Sequence, residues 1–359
     1  MGFKMGKAQG NCGLKSSGQP WTWGLNTSGQ LGNQTISNKS SPISVVGGFL
    51  FTQVSGGSNF AVALDSSGHA WAWGEGSSGE LGNNAGDASS PVSVVGNHVF
   101  VEIACGSTHT LARKSDGTIW AWGINSASAA GGALGDLTNV SKSSPVSVAG
   151  NHSFIAIAAG DNSSFGLKAD GTAWGWGRNF LAAVGATGQL GDLTGASKSS
   201  PVSVVGNHSF IEISSSQYST IARKVDGTLW AWGLNSGGDL GDNTTTNRSS
   251  PVSVVGAHSA VEISSASRTN YARKADGSVW AWGIPYWGEI GDYAATQRNS
   301  PVAVVGNHSF VEISAQFGAC FGRKANAEIW AWGLGTSGEL GDFTATSKSS
   351  PVVVAGTAE

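Results

Sequence analysis

The chain has 359 residues, of which 54 are Gly, 15 are Trp and only 12% are charged, a composition that favours strands and turns and gives helices little support. Its length accommodates two ordinary domains or one large β domain. A formal charge of −3 and a pI near 6.2 offer no clustered excess of Lys and Arg, so nucleic acid and anionic membranes are not expected as partners.

The N-terminal stretch MGFKMGKAQGNCG lacks the apolar run of about 7–15 residues that marks a secretory leader, and no later run approaches the ~20 residues of a membrane span. No membrane insertion is expected, and the protein is expected in the cytoplasm at synthesis. From Trp21 onward a repeat takes over. The motif W-x-W-G begins at Trp21, Trp71, Trp120, Trp174, Trp230, Trp280 and Trp330, in steps of 50, 49, 54, 56, 50 and 50 residues. These seven copies hold 14 of the 15 tryptophans; Trp287 stands outside them.

Each copy runs on through a G-x-L-G-D-like turn, a polar stretch ending in S-S-P, and then P-V-S-V-V-G, N-H-S-F, V-E-I-S and A-R-K-x-D-G. VEIS and PVSVV are short β-branched runs, ARK with its preceding residues makes another, and TIWAWG a fourth. Asp116-Gly117, Asp226-Gly227 and Asp276-Gly277 read as two-residue hairpin turns, where Gly supplies positive φ without steric cost. One copy is thus a four-stranded antiparallel meander. A single such sheet cannot bury both faces, whereas seven packed around an axis can. The expected fold is an all-β, seven-bladed β-propeller of four-stranded antiparallel blades, occupying residues 1–359 as one domain.

Closure is legible in the spacing. From Pro42, Pro91, Pro145, Pro201, Pro251 and Pro301 to the next W-x-W-G tryptophan is 29 residues, and the count from Pro351 through Glu359 and Met1 to Trp21 is again 29. The termini therefore meet in register, with Gly2-Phe3-Lys4-Met5 in the place of VEIS. Within each W-x-W the two indoles share one face of a strand, so the expected core is Trp21, Trp23, Trp71, Trp73, Trp120, Trp122, Trp174, Trp176, Trp230, Trp232, Trp280, Trp282, Trp330 and Trp332.

Sites of chemistry are scarce. Cys12, Cys105 and Cys320 are scattered and suggest neither disulfide nor zinc. His98, His152, His208, His258 and His308 recur once per blade, too far apart to converge on one ion, and take a turn role. Asp136, Asp192, Asp242, Asp292 and Asp342 cap Leu-Gly-Asp-type turns, and no calcium loop occurs. The match Gly74-x-Gly76-x-x-Gly79 precedes no helix that could hold a pyrophosphate. No nucleophile elbow or isolated carboxylate pair is present. No catalytic residue, metal or cofactor is expected.

The pattern Gly106-Ser107-Thr108-His109-Thr110, Asp116-Gly117 and Trp120-Ala121-Trp122-Gly123-Ile124-Asn125, followed by S-P-V, resembles the repeat of the regulator of chromosome condensation family. That resemblance covers essentially the whole chain and implies a seven-bladed propeller. The family's founding member is a nucleotide exchange factor for a small nuclear GTPase; other relatives inhibit enzymes or bind membranes or ubiquitin machinery. The family's histidine occurs here only as His109; the equivalent residues are Phe60, Ser163, Ser219, Thr269 and Ala319. The near-identical copies resemble prokaryotic or phage-encoded members.

Function is expected on one side of the ring. The first-to-second and third-to-fourth strand connections emerge together and carry nearly all the variation, including insertions at Ser126–Ala133 and Arg178–Gly188. Variable loops on a rigid scaffold are where binding is usually placed. The candidate partner-binding residues are Phe60, His109, Asn162, Arg178, Asn179, Phe180, Tyr218, Arg268, Tyr286, Trp287 and Phe317. The expected role is a non-catalytic interaction or structural module for a protein partner, in a virion or cell-surface component. A GTPase regulator and a lectin-like, glycan-binding propeller are the alternatives.

Overall fold

The computed structural model describes residues 10–125, 131–181, 185–256 and 259–356. These form seven antiparallel blades arranged as a β-propeller and one two-stranded ribbon, Phe180–Leu181 with Gly185–Ala186, with no helix among the described residues. Blade 3 shows the plan: Glu102–Cys105 innermost, then His109–Arg113, Ile119–Gly123 and, outermost, Lys142–Ser147. Blades 2, 4, 5, 6 and 7 repeat this order. In blade 1 the described strands are Gly10–Leu14, Pro20–Gly24 and Lys39–Ser44. The innermost strand expected at Gly2–Met5 lies outside the described residues.

The pairing between third and fourth strands shifts register in every blade, between Ala121 and Gly123 in blade 3 and at the matching residues elsewhere. The cause is the glycine of W-x-W-G. Gly123 has φ +104°, and a Cβ there would lie 2.5 Å from the Thr108 carbonyl oxygen. Any side chain would push the third strand off the preceding hairpin.

The two tryptophans of each motif separate. Trp23, Trp73, Trp122, Trp176, Trp232, Trp282 and Trp332 are fully buried, whereas Trp21, Trp71, Trp120, Trp174, Trp230, Trp280 and Trp330 are only half-buried. The expected fourteen-indole core is therefore a core of seven. Although both rings leave the strand on one side, the first lies near the blade's end. There the rings of His98, His152, His208 and His308 lie tilted against the indoles of Trp120, Trp174, Trp230 and Trp330 at centroid distances of 4.1–4.4 Å, a packing role where the sequence suggested a turn. His258 lies outside the described residues.

Each buried indole also fastens its blade to the one before. Its Nε1–H donates at 2.8–3.1 Å to the backbone carbonyl of Glu339, Gln30, Glu80, Ala133, Gln189, Asp239 or Glu289, taken in the order of the seven tryptophans. Further out, backbone N–H groups of Gln34, Asn84, Leu137, Leu193, Asn243, Tyr293 and Phe343 donate to the next blade's outer strand at 2.8–3.0 Å. Both sets include the junction of blades 7 and 1: Trp23 bonds Glu339, and Phe343 bonds Ser40. Trp23 also packs with Phe321, Ala331, Leu340 and Val354. These contacts close the ring between blades 7 and 1.

The repeated aspartates cap turns. Asp136, Asp192, Asp242, Asp292 and Asp342 each accept the backbone N–H two residues on, at 3.0–3.1 Å. The three cysteines are buried free thiols.

Candidate partner-binding face

The connections between first and second strands, and between third and fourth, emerge on one side of the ring; the hairpin turns and the blade-to-blade segments emerge on the other. The first side carries the variable residues. Its geometry follows from a repeated juxtaposition: the residue before Leu-Gly or Ile-Gly in one blade faces the first-to-second turn of the next. Gln30 Nε2 reaches Asn59 Oδ1 at 3.4 Å, and Asp239 reaches Arg268.

The Asp239–Arg268 contact is a bidentate ion pair, Nε to Oδ1 at 2.6 Å and Nη2 to Oδ2 at 2.7 Å, with Ser236 Oγ a further acceptor at 3.0 Å. The two side chains are 2% and 13% exposed, and paired planar geometry of this kind is strong and directional. Burial works against the guanidinium charge, and the neighbouring carboxylate outweighs it, so Arg268 holds its proton more tightly than a free arginine. Gly237 makes room first for Ile284, whose Cγ1 would lie 2.1 Å from a Cβ there, and then for Arg268 Nη2 at 3.0 Å.

One blade on, the sizes are exchanged. Trp287 occupies the position of Gly237, and Gly318 that of Arg268; a Cβ on Gly318 would stand 3.1 Å from Trp287 Cε3. The indole joins a row of aromatic rings: Tyr286–Trp287 at 5.6 Å and Trp287–Phe317 at 5.8 Å between centroids. Tyr286 is 56% exposed, and Trp287 and Phe317 are half-buried. Beneath the row, Glu289 is 2% exposed and accepts the Trp287 backbone N–H at 2.7 Å. Burial raises its pKa to about 7.

Tyr218 and Arg178 extend the row toward blade 4. Burial raises the Tyr218 phenol, with Asp161 acting in the same direction and Arg178 and Arg268 against it. Arg178 Nε donates to the Phe180 carbonyl at 2.7 Å, while Phe180 itself is 36% exposed. Asn162 is half-buried, and its carbonyl accepts the Arg178 N–H at 2.8 Å. Asp161, Arg178, Tyr218, Arg268 and Tyr286 thus interact electrostatically across blades 4 to 6.

Three expected surface residues point inward. Phe60 is 1% exposed; its ring lies where a side chain on Gly57 would be, 1.9 Å from the nearest atom. His109 is fully buried, with Nε2 2.8 Å from Ser164 Oγ in the next blade, and belongs to the packing between blades. Asn179 is fully buried: Nδ2 donates to Asp192 Oδ1 at 3.1 Å and to the Thr194 carbonyl at 2.9 Å, and Oδ1 accepts the Leu190 N–H at 3.0 Å. Asn26, Asn125 and Asn235 make the same contacts with Leu31, Leu134 and Leu240. It staples the loop.

The polar residues before Leu/Ile-Gly were not among the expected sites. Gln30, Glu80, Gln189, Asp239, Glu289 and Glu339 are all buried, and burial raises the Glu80 carboxyl as it does Glu289. Their signal in the sequence is a polar residue at a fixed place beside an apolar one in six of seven copies. Among the described residues no group of three or more His, Cys, Asp or Glu is placed to hold a metal ion, and no helix is long and apolar enough to cross a membrane.

Models of the regulator of chromosome condensation (RCC1) repeat match residues 17–64, 67–113 and 226–272, and a second model of the same repeat matches 51–80, 100–128 and 154–181. Comparison with curated protein sequences gives no match. Among solved structures, Prp20p from Saccharomyces cerevisiae, described with its binding to Gsp1p and histones, superposes with a TM-score of 0.83 at 19% identity, covering 96% of this chain and 88% of its own. Human WBSCR16 gives 0.83 at 17% identity over 94% and 93%. The CRINKLY ectodomain of the Arabidopsis thaliana receptor kinase ACR4 gives 0.55 at 15% identity over 93% and 97%. The seven W-x-W-G blades, the closed ring and the matched segments together make this chain a seven-bladed β-propeller built of RCC1 repeats.

Proposed function

We propose that the protein is a non-catalytic binding module that takes a protein partner on its variable face, across blades 4 to 7. The observation that carries this reading is the row Tyr286, Trp287 and Phe317 beside the buried Asp239–Arg268 pair. Aromatic rings already held by their neighbours lose little entropy on docking, and Tyr, Trp and Arg dominate binding energy at interfaces. The test is affinity capture with the intact protein and with the double variant Tyr286→Ala and Trp287→Ala. Capture of a defined partner should be lost while the variant still melts cooperatively; capture that survives both truncations overturns the placement.

A second reading, regulation of a small GTPase, is favoured by one observation: the Prp20p propeller, which binds Gsp1p, overlays 96% of this chain. Release of labelled GDP from candidate small GTPases, measured with and without the protein, decides it. Acceleration that the double variant loses supports a regulator on the same face; no acceleration with any of them leaves the binding module.

A further inference from the structure

The opposite face of the ring holds a second feature, in blade 2. In six blades a lysine lies against the first indole of W-x-W-G: Nζ of Lys15, Lys114, Lys168, Lys224, Lys274 and Lys324 stands 4.0–4.6 Å from the ring centroid of Trp21, Trp120, Trp174, Trp230, Trp280 and Trp330. Each of these lysines precedes its tryptophan by six residues. In blade 2 that position is Asp65. The half-buried indole of Trp71 therefore has a carboxylate where its six counterparts have an ammonium.

Asp65 is held in place. Its Oδ1 accepts the backbone N–H groups of Ser67 at 2.9 Å and His69 at 3.0 Å, and Oδ2 accepts Trp71 Nε1–H at 3.2 Å. Burial pushes this carboxyl upward, but the hydrogen bonds from Trp71, His69 and Ser67 prevail, so it is a carboxylate at neutral pH. Phe49 covers Trp71 at 4.5 Å between centroids, in the place that histidine takes on Trp120, Trp174, Trp230 and Trp330.

Beside the indole opens a cavity of about 410 Å³, walled by Trp71, His69, Asn97 and His98 among others. That volume is in the range of small-molecule sites and exceeds what a lysine side chain needs. His98 brings no opposing charge, since burial and then Lys114 lower its pKa and leave it neutral. The cavity thus has an aromatic wall with a fixed carboxylate hydrogen-bonded behind it; the basic group nearest that carboxylate is His69 of the same wall, whose Nδ1 stands 3.6 Å from Asp65 Oδ2 and with which an entering ammonium competes.

We propose that this cavity is a cation-binding site for an alkylammonium, either the lysine side chain of a partner or a free diamine, seated against Trp71 with Asp65 as its counter-charge. The six intramolecular lysine–indole contacts are its templates, and an ammonium over an indole that is also paired with a carboxylate gains from both. The site is on the opposite side of the ring from the aromatic row, and it stands or falls independently of that surface.

The test is NMR titration of the full chain, following the indole N–H resonance of Trp71, which is assigned by its loss in Trp71→Phe. The probes are pentylammonium, cadaverine, Nα-acetyl-lysine methylamide and, as the neutral isostere, pentanol. The expected result is a saturable shift with the ammonium probes and an affinity for pentanol weaker by about tenfold or more. The shift should disappear in Asp65→Lys, which supplies the chain's own cation as six blades already do; the variant gives up the hydrogen bonds from Ser67, His69 and Trp71, so its melting is measured alongside the titration. Saturation by the lysine amide assigns a partner's side chain; saturation by cadaverine alone assigns a free amine. No saturable shift with any ammonium, an equal response to pentanol, or undiminished binding by Asp65→Lys overturns the proposal.

Discussion

Replacing Glu289 by Gln should stabilise the propeller, and far more at pH 8 than at pH 5. Glu289 is 2% exposed, and across the blade boundary the position from which Arg268 pairs with Asp239 is held by Gly318, which brings no side chain. No cation compensates its burial, which raises its pKa from 4.5 to about 7. In the unfolded chain the proton leaves near the ordinary value; in the folded chain it stays until about pH 7. Stability therefore falls as pH rises through that window, and the penalty is complete above it. At ~1.4 kcal/mol per pKa unit, the cost is about 3 kcal/mol at pH 8 and under about 1 kcal/mol at pH 5. Gln keeps the acceptor that Trp287 N–H needs, as Gln30 does for Ser28 N–H at 2.8 Å in blade 1. Spread over the unfolding entropy of a chain this long, 3 kcal/mol is about 4 °C. Calorimetric melting of both proteins at the two pH values measures it. Equal gains at pH 5 and pH 8, or a lower midpoint for the variant at pH 8, would refute the reasoning.

Three further outcomes follow from the same geometry. Trp232→Ala should cost ~3–5 kcal/mol, whereas Trp230→Ala should cost about half as much or less, because only Trp232 is fully buried and bonded to the Gln189 carbonyl; denaturant melts of the two variants compare them. Leu193→Asn should raise stability by ~0.5–1 kcal/mol, since Leu193 has φ +63° and 65% exposure while Asn84 and Asn243 hold the same conformation in other blades; a lower melting point would contradict this. The pKa values of His98, His152, His208 and His308 are lowered by burial and then by Lys114, Lys168, Lys224 and Lys324. Their contribution is complete above the unfolded value near 6.5 and is lost as pH falls from there through the folded values. Changing all four to Gln should flatten the melting profile between pH 7 and pH 5.

Much of this architecture is determined locally and repeats. The W-x-W-G glycine, the Asp-Gly turns and the constant interval from proline to tryptophan prescribe one blade, and seven copies of the motif prescribe seven of them. Which side of the ring varies also follows, because antiparallel strands return alternate connections to the same edge. What strand alternation cannot supply is depth. Two residues apart on one strand place Trp230 and Trp232 on the same side, but only the neighbouring blade decides that Trp232 is enclosed and Trp230 is not.

The same limit applies to the binding face. Phe60 and His109 stand at variable positions in the sequence and Asn179 at a repeated one beside an insertion, yet each turns inward, because Gly57, Ser164 and the Leu190 turn offer it space or a hydrogen bond. Conversely, the pairing of Asp239 with Arg268 and the placement of Trp287 over Gly318 join residues 29 and 31 positions apart. Nothing in either stretch alone announces them. Repetition and turn chemistry are properties of the chain itself; the partners of a buried charge or an indole are properties of the blade packed against it, and only the closed ring brings that blade into place.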